Sequence, residues 1–266
     1  MGSPTACAEF QAHSHNIQVR KRLETRKPKL ETEAMILLRP SDERGRTQLD
    51  WLDSRHTFSF GDYFDARWPG FRGLRVINDD RIGAGAGFGM HPHRDMEIVT
   101  YMLDGALEHK DSMGNGSVIR SGDVQAMSAG SGITHREYNS SKTEPVHLLQ
   151  IWIMPRQRGV TPSYAQSSFR ASQKPGQWIL VASGDGRDSS LKIHHNADLF
   201  AIVLEPGQKL SFELRPRHHA WIQVARGSIS LNGRDLQEGD GAGVSDEKDL
   251  EVAAREKAEV LMFDLE

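Results

Sequence analysis

The amino-acid sequence predicts an all-β protein made of barrels or sandwiches. From Glu97 onward, short apolar segments such as 98–103 and 146–154 follow one another, and turns containing glycine separate them. Segments of this length bounded by turn residues are typical of β-strands. No long stretch has the 3.6-residue periodicity of an amphipathic helix, so we expect a closed β architecture with at most short helices.

The second half of the chain repeats the first half in outline. Residues 221–230 resemble residues 97–107, and in both segments an apolar stretch runs into a glycine. An Asn-Gly pair follows each segment, at Asn115-Gly116 and at Asn232-Gly233, and such pairs predict tight hairpin turns. An internal duplication explains this repetition, so we expect two β-barrels.

The composition divides the chain into three segments. Residues 1–34 are polar and charged, which predicts a flexible N-terminal extension. Residues 35–160 are expected to form the first barrel, and residues 165–266 the second. Between them, parts of the segment 156–176 are rich in proline, serine, glutamine and arginine, as in a linker.

Composition and charge also limit the partners. The chain has 266 residues, of which 37% are hydrophobic and 26% charged, as in soluble globular proteins. A net charge of −3 gives no electrostatic reason to expect nucleic acid or an anionic membrane as a partner. No apolar run is long enough for a membrane span. The single cysteine and the lack of a secretory segment favour a cytoplasmic location, and a monomer is expected.

Two pairs of potential metal ligands are the candidate functional residues. His91 and His93 are two residues apart, as are His135 and Glu137. Residues with this spacing share one face of a β-strand. Two adjacent strands carrying these pairs would bring together three imidazoles and one carboxylate, which suit iron, manganese, nickel, copper or zinc. A closed structural zinc site would normally use cysteine, and Cys7 is distant in sequence.

The second half lacks an equivalent set of ligands. His218 and His219 are adjacent, so their side chains would point to opposite faces of a strand. No His-x-Glu sequence follows them. We therefore expect chemistry in the first barrel and a structural role for the second.

His56 and Asp53 have two interpretations. They could line a pocket, or they could form local hydrogen bonds that hold a loop in place. The sequence favours local hydrogen bonding, because a polar residue beside a short strand usually has such a role.

Two spacings resemble the sequence motifs of the cupin superfamily. Gly85, five residues, His91-Pro92-His93, three residues and Glu97 are similar to the first motif. Gly132, two residues, His135, three residues and Asn139 are similar to the end of the second. The chain departs from these motifs in two places: Gly105 comes one residue late, and the usual proline of the second motif is replaced within 128–132.

With these departures, the chain resembles the pirin family, and within it the bacterial quercetinase-like branch. Three segments carry the likeness, namely 53–60, 91–97 and 127–137. The resemblance extends from Met35 to the C-terminus. It implies a bicupin, in which a degenerate C-terminal cupin domain follows a metal-binding N-terminal one.

The resemblance also implies a ligand set and a cofactor. One divalent transition metal would be held at the positions matching His91, His93, His135 and Glu137. The expected metal is iron(II), with manganese, nickel, cobalt, copper or zinc as alternatives. Glu97 matches the usual glutamate ligand of cupins, but the matching glutamate is not bound in pirins. From the residues alone, the choice between Glu97 and Glu137 stays open.

Two functions follow from the resemblance. The first is a dioxygenase of the quercetin 2,4-dioxygenase type, with a small phenolic or flavonol-like substrate and dioxygen. In that enzyme Glu137 would be catalytic and would accept the proton of the substrate 3-hydroxyl group. The second is a non-catalytic metal-binding protein that senses redox state or regulates a protein partner.

Overall fold

The structure is a computed structural model that describes residues 35–169 and 174–266. Strands dominate it, and two short 3-10 helices, Ser41–Glu43 and Arg187–Ser189, are the helical elements of these residues. None of the described helices is long and apolar enough to cross a membrane. The predicted all-β bicupin fold is confirmed. The expected extension, residues 1–34, lies outside the described residues.

The first twelve strands include those of the first barrel. They are β1 (Met35–Arg39), β2 (Gly45–Leu49), β3 (Leu52–His56), β4 (Leu74–Ile82), β5 (Gly87–His93), β6 (Glu97–Asp104), β7 (Ala106–Asp111), β8 (Gly116–Arg120), β9 (Asp123–Ser128), β10 (Ile133–Asn139), β11 (Val146–Ile153) and β12 (Ser163–Ser168). The larger sheet has the order β12-β9-β6-β11-β4-β3-β2, and the smaller sheet has the order β5-β10-β7-β8.

The remaining strands belong to the second barrel. They are β13 (Ile179–Ser183), β14 (Leu191–Lys192), β15 (Ala197–Leu204), β16 (Lys209–Glu213), β17 (His219–Arg226), β18 (Ile229–Leu231), β19 (Arg234–Leu236), β20 (Gly241–Ser245), β21 (Asp249–Ala254) and β22 (Ala258–Leu265). Their larger sheet has the order β1-β20-β17-β22-β15-β13-β14, and their smaller sheet has the order β16-β21-β18-β19.

The two barrels share the strand order of their smaller sheets, as the repeated sequence pattern predicts. In both, the smaller sheet follows the same order of successive strands, and β5, β10, β7 and β8 correspond to β16, β21, β18 and β19. The Asn232-Gly233 turn joins Leu231 directly to Arg234, with positive φ at both turn residues. The Asn115-Gly116 turn is longer than expected, because β7 ends at Asp111, whose N–H donates to the Asn115 carbonyl.

Each barrel receives an edge strand from the segment that precedes the other barrel. β1 pairs with β20, and β12 pairs with β9. The expected limits therefore differ from the strand pairing: 35–39 joins the second barrel, whereas the sheet of the first barrel continues past 160 to Ser168. The alternation of apolar residues predicts that a strand forms, but the choice of partner depends on long-range pairing.

The two larger sheets pack face to face and form a central apolar layer. On β6, Val99 and Tyr101 belong to this layer, whereas Ile98 and Met102 belong to clusters inside the first barrel. Trp221 of the second barrel is completely buried in the layer. Its ring contacts three aromatic rings of the first half, those of Phe58, Trp68 and Phe71. Both faces of the larger sheets are thus covered.

Candidate metal centre

Three histidines converge inside the first barrel. β5 and β10 are antiparallel neighbours, and His91 lies directly opposite His135. The ring centroids of His91 and His135 are 4.4 Å apart, and the His93 ring is 4.8 Å from each of the other two. The period-two spacing predicted that His91 and His93 share a face. The pairing of β5 with β10 brings His135 to them.

Glu137 lies beside the histidines in a second, overlapping group of donors. The donor atoms of His91, His93 and His135 lie within 4.8 Å of one another, and so do those of His109, His135 and Glu137. His135 belongs to both groups. The pairing of β10 with β5 is irregular between His135 and Glu137, because a register shift separates the two residues.

His109 is a potential donor that the sequence analysis did not identify. It lies on β7 directly opposite Glu137, is fully buried, and stacks on Tyr164 with 4.6 Å between ring centroids. Its Nδ1 is 3.5 Å from Nδ1 of His135, and its Nε2 is 3.3 Å from an oxygen of Asp111. His109 and Asp111 are again two residues apart, and this spacing could have identified His109 as a candidate ligand from the sequence.

Burial favours the neutral form of two of these histidines, His93 and His135. It lowers the pKa of His93 to about 4, with a further contribution from His91. It lowers the pKa of His135 to about 2, and the imidazoles of His91, His93 and His109 act in the same direction. Metals bind the neutral form of imidazole, so no proton has to leave these two rings at neutral pH. Nδ1 of His91 lies 2.7 Å from the Gly89 carbonyl oxygen, so an N–H donated there leaves Nε2 available.

Two buried atoms of this site have no hydrogen-bond partner in the protein. They are Nε2 of His135 and Oε1 of Glu137. The other carboxylate oxygen of Glu137 accepts a hydrogen bond from Gln150 Nε2 at 2.9 Å. Buried polar atoms are normally satisfied, and a metal ion would satisfy both of these. Imidazole and carboxylate donors also match a divalent transition metal, so the residues fit such an ion.

Glu97 uses both carboxylate oxygens elsewhere. One accepts a hydrogen bond from the Ser128 hydroxyl at 2.6 Å, and the other accepts one from the backbone N–H of His194 at 3.0 Å. Glu97 has the strand parity of Val99 and Tyr101, which face the central layer and not the barrel interior. It belongs to neither group of donors.

A cavity of about 500 Å³ adjoins His91, His93 and Glu137. Apolar side chains form much of its wall, including Leu49, Trp51, Phe60, Phe88 and Trp152. Beside the potential ligands, the wall also carries polar side chains, namely Thr47, Ser54, His56, Asn78, Asp80 and Gln150. The cavity can therefore accept a largely apolar molecule that carries several polar groups.

Both interpretations of His56 hold, whereas Asp53 has a surface role. His56 lines the cavity, and its ring nitrogens lie 2.8 Å from Thr47 Oγ1 and 2.8 Å from Asn78 Oδ1. Asp53 of β3 forms a bidentate ion pair with Arg46 of the neighbouring strand β2, on the exposed face of the sheet.

The second barrel carries apolar side chains where the first carries donors. Leu210 and Phe212 occupy β16, the counterpart of β5, and Leu250 and Val252 occupy β21, the counterpart of β10. Among the described residues, both donor groups lie in the first barrel. His218 and His219 have other contacts, since His218 pairs with Asp264 at 2.7 Å and His219 lies 2.9 Å from the Ser245 hydroxyl.

Comparison with known proteins agrees with this architecture. Residues 38–153 match the family model described as Pirin, and residues 180–265 match the Quercetinase C-terminal cupin domain. A quercetin 2,3-dioxygenase of Escherichia coli K12 is 48% identical over 87% of this chain and 99% of its own length. A putative quercetin 2,3-dioxygenase of Pseudomonas aeruginosa is 44% identical over 87% of this chain and all of its own length.

A solved structure supports the same assignment. The bacterial pirin YhhW of Escherichia coli, in complex with nickel(II), has a TM-score of 0.83 and 47% sequence identity. The match covers 87% of this chain and 99% of that protein. Since sequence and fold agree over both barrels, the chain belongs to the pirin family.

Proposed function

We propose that the protein is a metal-dependent dioxygenase that opens the heterocyclic ring of flavonols such as quercetin, in a 2,4-dioxygenase type of cleavage. One observation carries the proposal: the unpartnered Oε1 of Glu137 belongs to the wall of a cavity that can enclose a small aromatic molecule, and His91 and His93 line the same cavity. The names of the E. coli and P. aeruginosa relatives support the substrate class.

The proposed ligands are His91, His93, His135 and Glu137, which would hold one divalent metal ion per chain. We propose iron(II) as the native ion, and the nickel(II) complex of the E. coli pirin makes nickel an alternative to be measured. When bound, such an ion supplies Lewis-acid polarisation of substrate oxygens and redox chemistry for dioxygen.

The side chains of the cavity would bind and orient the substrate. Trp51 and Phe88 meet edge to face with ring centroids 5.3 Å apart, and such aromatic walls suit a flat phenolic ring. Burial raises the pKa of Glu137 to about 7, against the opposing effect of the hydrogen bond from Gln150. A carboxylate at this position would accept the proton of a flavonol 3-hydroxyl group. The hydrogen bond from Gln150 would orient it for this transfer.

The test combines metal analysis with turnover. The full chain is purified from cells without metal supplementation, the metals per chain are measured, and oxygen uptake is followed with a panel of phenolics. We expect about one metal per chain, and one dioxygen consumed and one carbon monoxide released for each flavonol cleaved. Bound metal without cleavage of any flavonol would contradict the proposal and favour a redox-sensing or regulatory pirin. We also propose a cytoplasmic monomer that acts without nucleic acid or membrane, which sedimentation and cell fractionation would test.

A further inference from the structure

Asp80 is a buried acid in the cavity that the proposed chemistry leaves without a role. It lies on β4 directly opposite Ser54 of β3, lines the cavity, and is 3% exposed. Its Oδ1 has no hydrogen-bond partner. The next residue along the chain toward the N-terminus, Asp79, has the opposite strand parity and pairs with Arg44 and His147. Arg44 and His147 therefore contact Asp79, and Asp80 is left for the cavity.

Most other polar groups of the wall already have partners. His56 contacts Thr47 and Asn78, and Gln150 contacts Glu137 and Thr100. Trp152 Nε1, a donor, is also unpartnered, and its ring is 5.0 Å from that of His93. Of the two unpartnered acidic oxygens in the wall, the one of Glu137 is explained by the proposed metal. The one of Asp80 is not.

The two acids lie on different sheets, and the charge of Asp80 helps to raise the pKa of Glu137, so the two groups are neighbours. His91, His93, His135 and Glu137 lie on the smaller sheet, whereas Asp80 and Ser54 lie on the larger sheet. Both sheets contribute to the cavity wall. A bound molecule can thus contact the donors on one sheet and Asp80 on the other.

The environment of Asp80 makes it a strong hydrogen-bonding group. Burial raises the pKa of Asp80 to about 7; the hydrogen bond from Ser54 lowers it in part, and the charge of Asp79 raises it further. Near neutral pH the group can accept a hydrogen bond as a carboxylate or donate one as an acid. A buried group of this kind without a partner is costly, so a ligand that supplies one gains affinity.

We propose that Asp80, supported by Ser54, is a second anchoring point of the cavity, which binds a phenolic hydroxyl group of the substrate other than the one that reacts. This inference rests on the proposed function and deepens it. It assigns the substrate class as polyhydroxylated flavonols, in preference to flavonols that bear the 3-hydroxyl group alone.

The experiment measures anaerobic binding to the metal-loaded full chain, so that affinity is separated from turnover. The ligands are quercetin, 3-hydroxyflavone and flavonols that lack single ring hydroxyls, and the variants are Asp80→Leu, Asp80→Asn and Ser54→Ala. Asp53→Asn is the matched control, because Asp53 adjoins Ser54 but points to the solvent-exposed face. Metal content and melting temperature are measured for each variant.

For the unmodified chain, we expect removal of one particular ring hydroxyl to weaken binding about 10-fold or more, as for a hydrogen bond to a charged group. Asp80→Leu should abolish this discrimination and leave the dissociation constant of 3-hydroxyflavone nearly unchanged. Asp80→Asn should keep part of it, Ser54→Ala should reduce it, and Asp53→Asn should not alter it.

Equal binding of all ligands by the unmodified chain would overturn the inference, and so would unchanged discrimination in Asp80→Leu. If that variant does not fold, the ligand series on the unmodified chain and on Ser54→Ala decides the question. If flavonols are bound and cleaved but Asp80 does not discriminate among them, only this inference fails. If the metal-loaded chain binds no flavonol, the proposed function fails as well.

Discussion

The two barrels have the same strand order in their smaller sheets but different interiors. The second is filled by one apolar cluster that includes Ile222, Val224, Leu250 and Met262. In the first, the apolar side chains form two smaller clusters, and the histidines and the cavity occupy the remaining interior. The strand order of this fold therefore does not determine whether a barrel contains a metal site. The side chains on two strands of the smaller sheet decide whether a barrel interior packs or binds.

The difference has an energetic consequence. Buried polar atoms without partners cost free energy, and the first barrel contains several of them. An apolar core of the kind found in the second barrel contributes stability in proportion to its buried area. We infer that the second barrel and the central layer stabilise the first, which supplies the site.

The central layer should be the most sensitive point. Trp221 belongs to the second barrel but contacts Phe58, Trp68 and Phe71 of the first half. Replacing it with alanine should lower the free energy of unfolding by about 3–5 kcal/mol, because a large buried ring leaves a cavity. Denaturant unfolding measures this, with Leu37→Ala, at an exposed position, as the control. A loss as small as that of the control would show that the barrels are independent.

Substitutions of Glu137 and Glu97 should have different effects, the first on metal binding and the second on stability. Glu137→Gln should weaken metal affinity by more than about 100-fold, beyond the usual effect of residues that only orient ligands. Flavonol cleavage should fall with it, because an amide cannot take the substrate proton. Glu97→Gln should keep most of the metal and instead lower stability by about 1–3 kcal/mol, since Glu97 is buried between two donors. Metal per chain after dialysis against a mild chelator, followed by quercetin loss, measures both. A reversed result would assign Glu97 as the ligand.

His109 should affect metal affinity through its contact with His135. His109→Phe keeps a ring that can stack on Tyr164 but removes the nitrogen beside Nδ1 of His135. We expect metal affinity to fall by about 10- to 100-fold, with about one metal per chain still bound at saturation. A competitive chelator titration measures this. Loss of all metal at saturation would make His109 a direct ligand.

A charge pair outside the cavity should give the first barrel an acid-sensitive component of stability. Burial opposes ionisation of Asp79, but the hydrogen bond from His147 and the charge of Arg44 outweigh it and lower the pKa to about 2. Stabilisation is therefore complete above the unfolded-state pKa near 4 and is lost as the pH falls toward 2. Asp79→Asn should remove about 2 kcal/mol at pH 7 and much less at pH 2. Equal losses at both pH values would exclude a role for ionised Asp79.

Removing both histidines at the start of β17 should have the smallest effect on metal. His218→Ala combined with His219→Ala should leave about one metal per chain, because the matched strands of the second barrel carry apolar side chains. Stability should decrease modestly through the loss of the His218 contact with Asp264. Loss of the metal in this variant would place the site in the second barrel and would remove the contrast between the two.

The strand content, the duplication and the pairs His91/His93 and His135/Glu137 could be predicted from the sequence alone. These features depend on local spacing: alternate residues of a strand share a face whichever strand lies beside it. For the same reason the sequence predicted that the second barrel has no His-x-Glu pair and has a structural role. The spacing also identified Glu97 as a candidate, but spacing alone did not reveal which face of β6 is turned toward the barrel interior.

The tertiary structure decided which faces meet. Only the pairing of β7 with β10 brings His109 to the site, and only the packing of the larger sheets turns Glu97 toward His194. The exchange of β1 and β12 between barrels is likewise invisible in local sequence. Asp80 enters the cavity because it shares the face of β4 with Ile82, which packs inside the first barrel, whereas Ile77 on the other face packs in the central layer. The physical reason is that strand partners are selected by burial and hydrogen bonding between residues distant along the chain, and these contacts exist only once the barrels close.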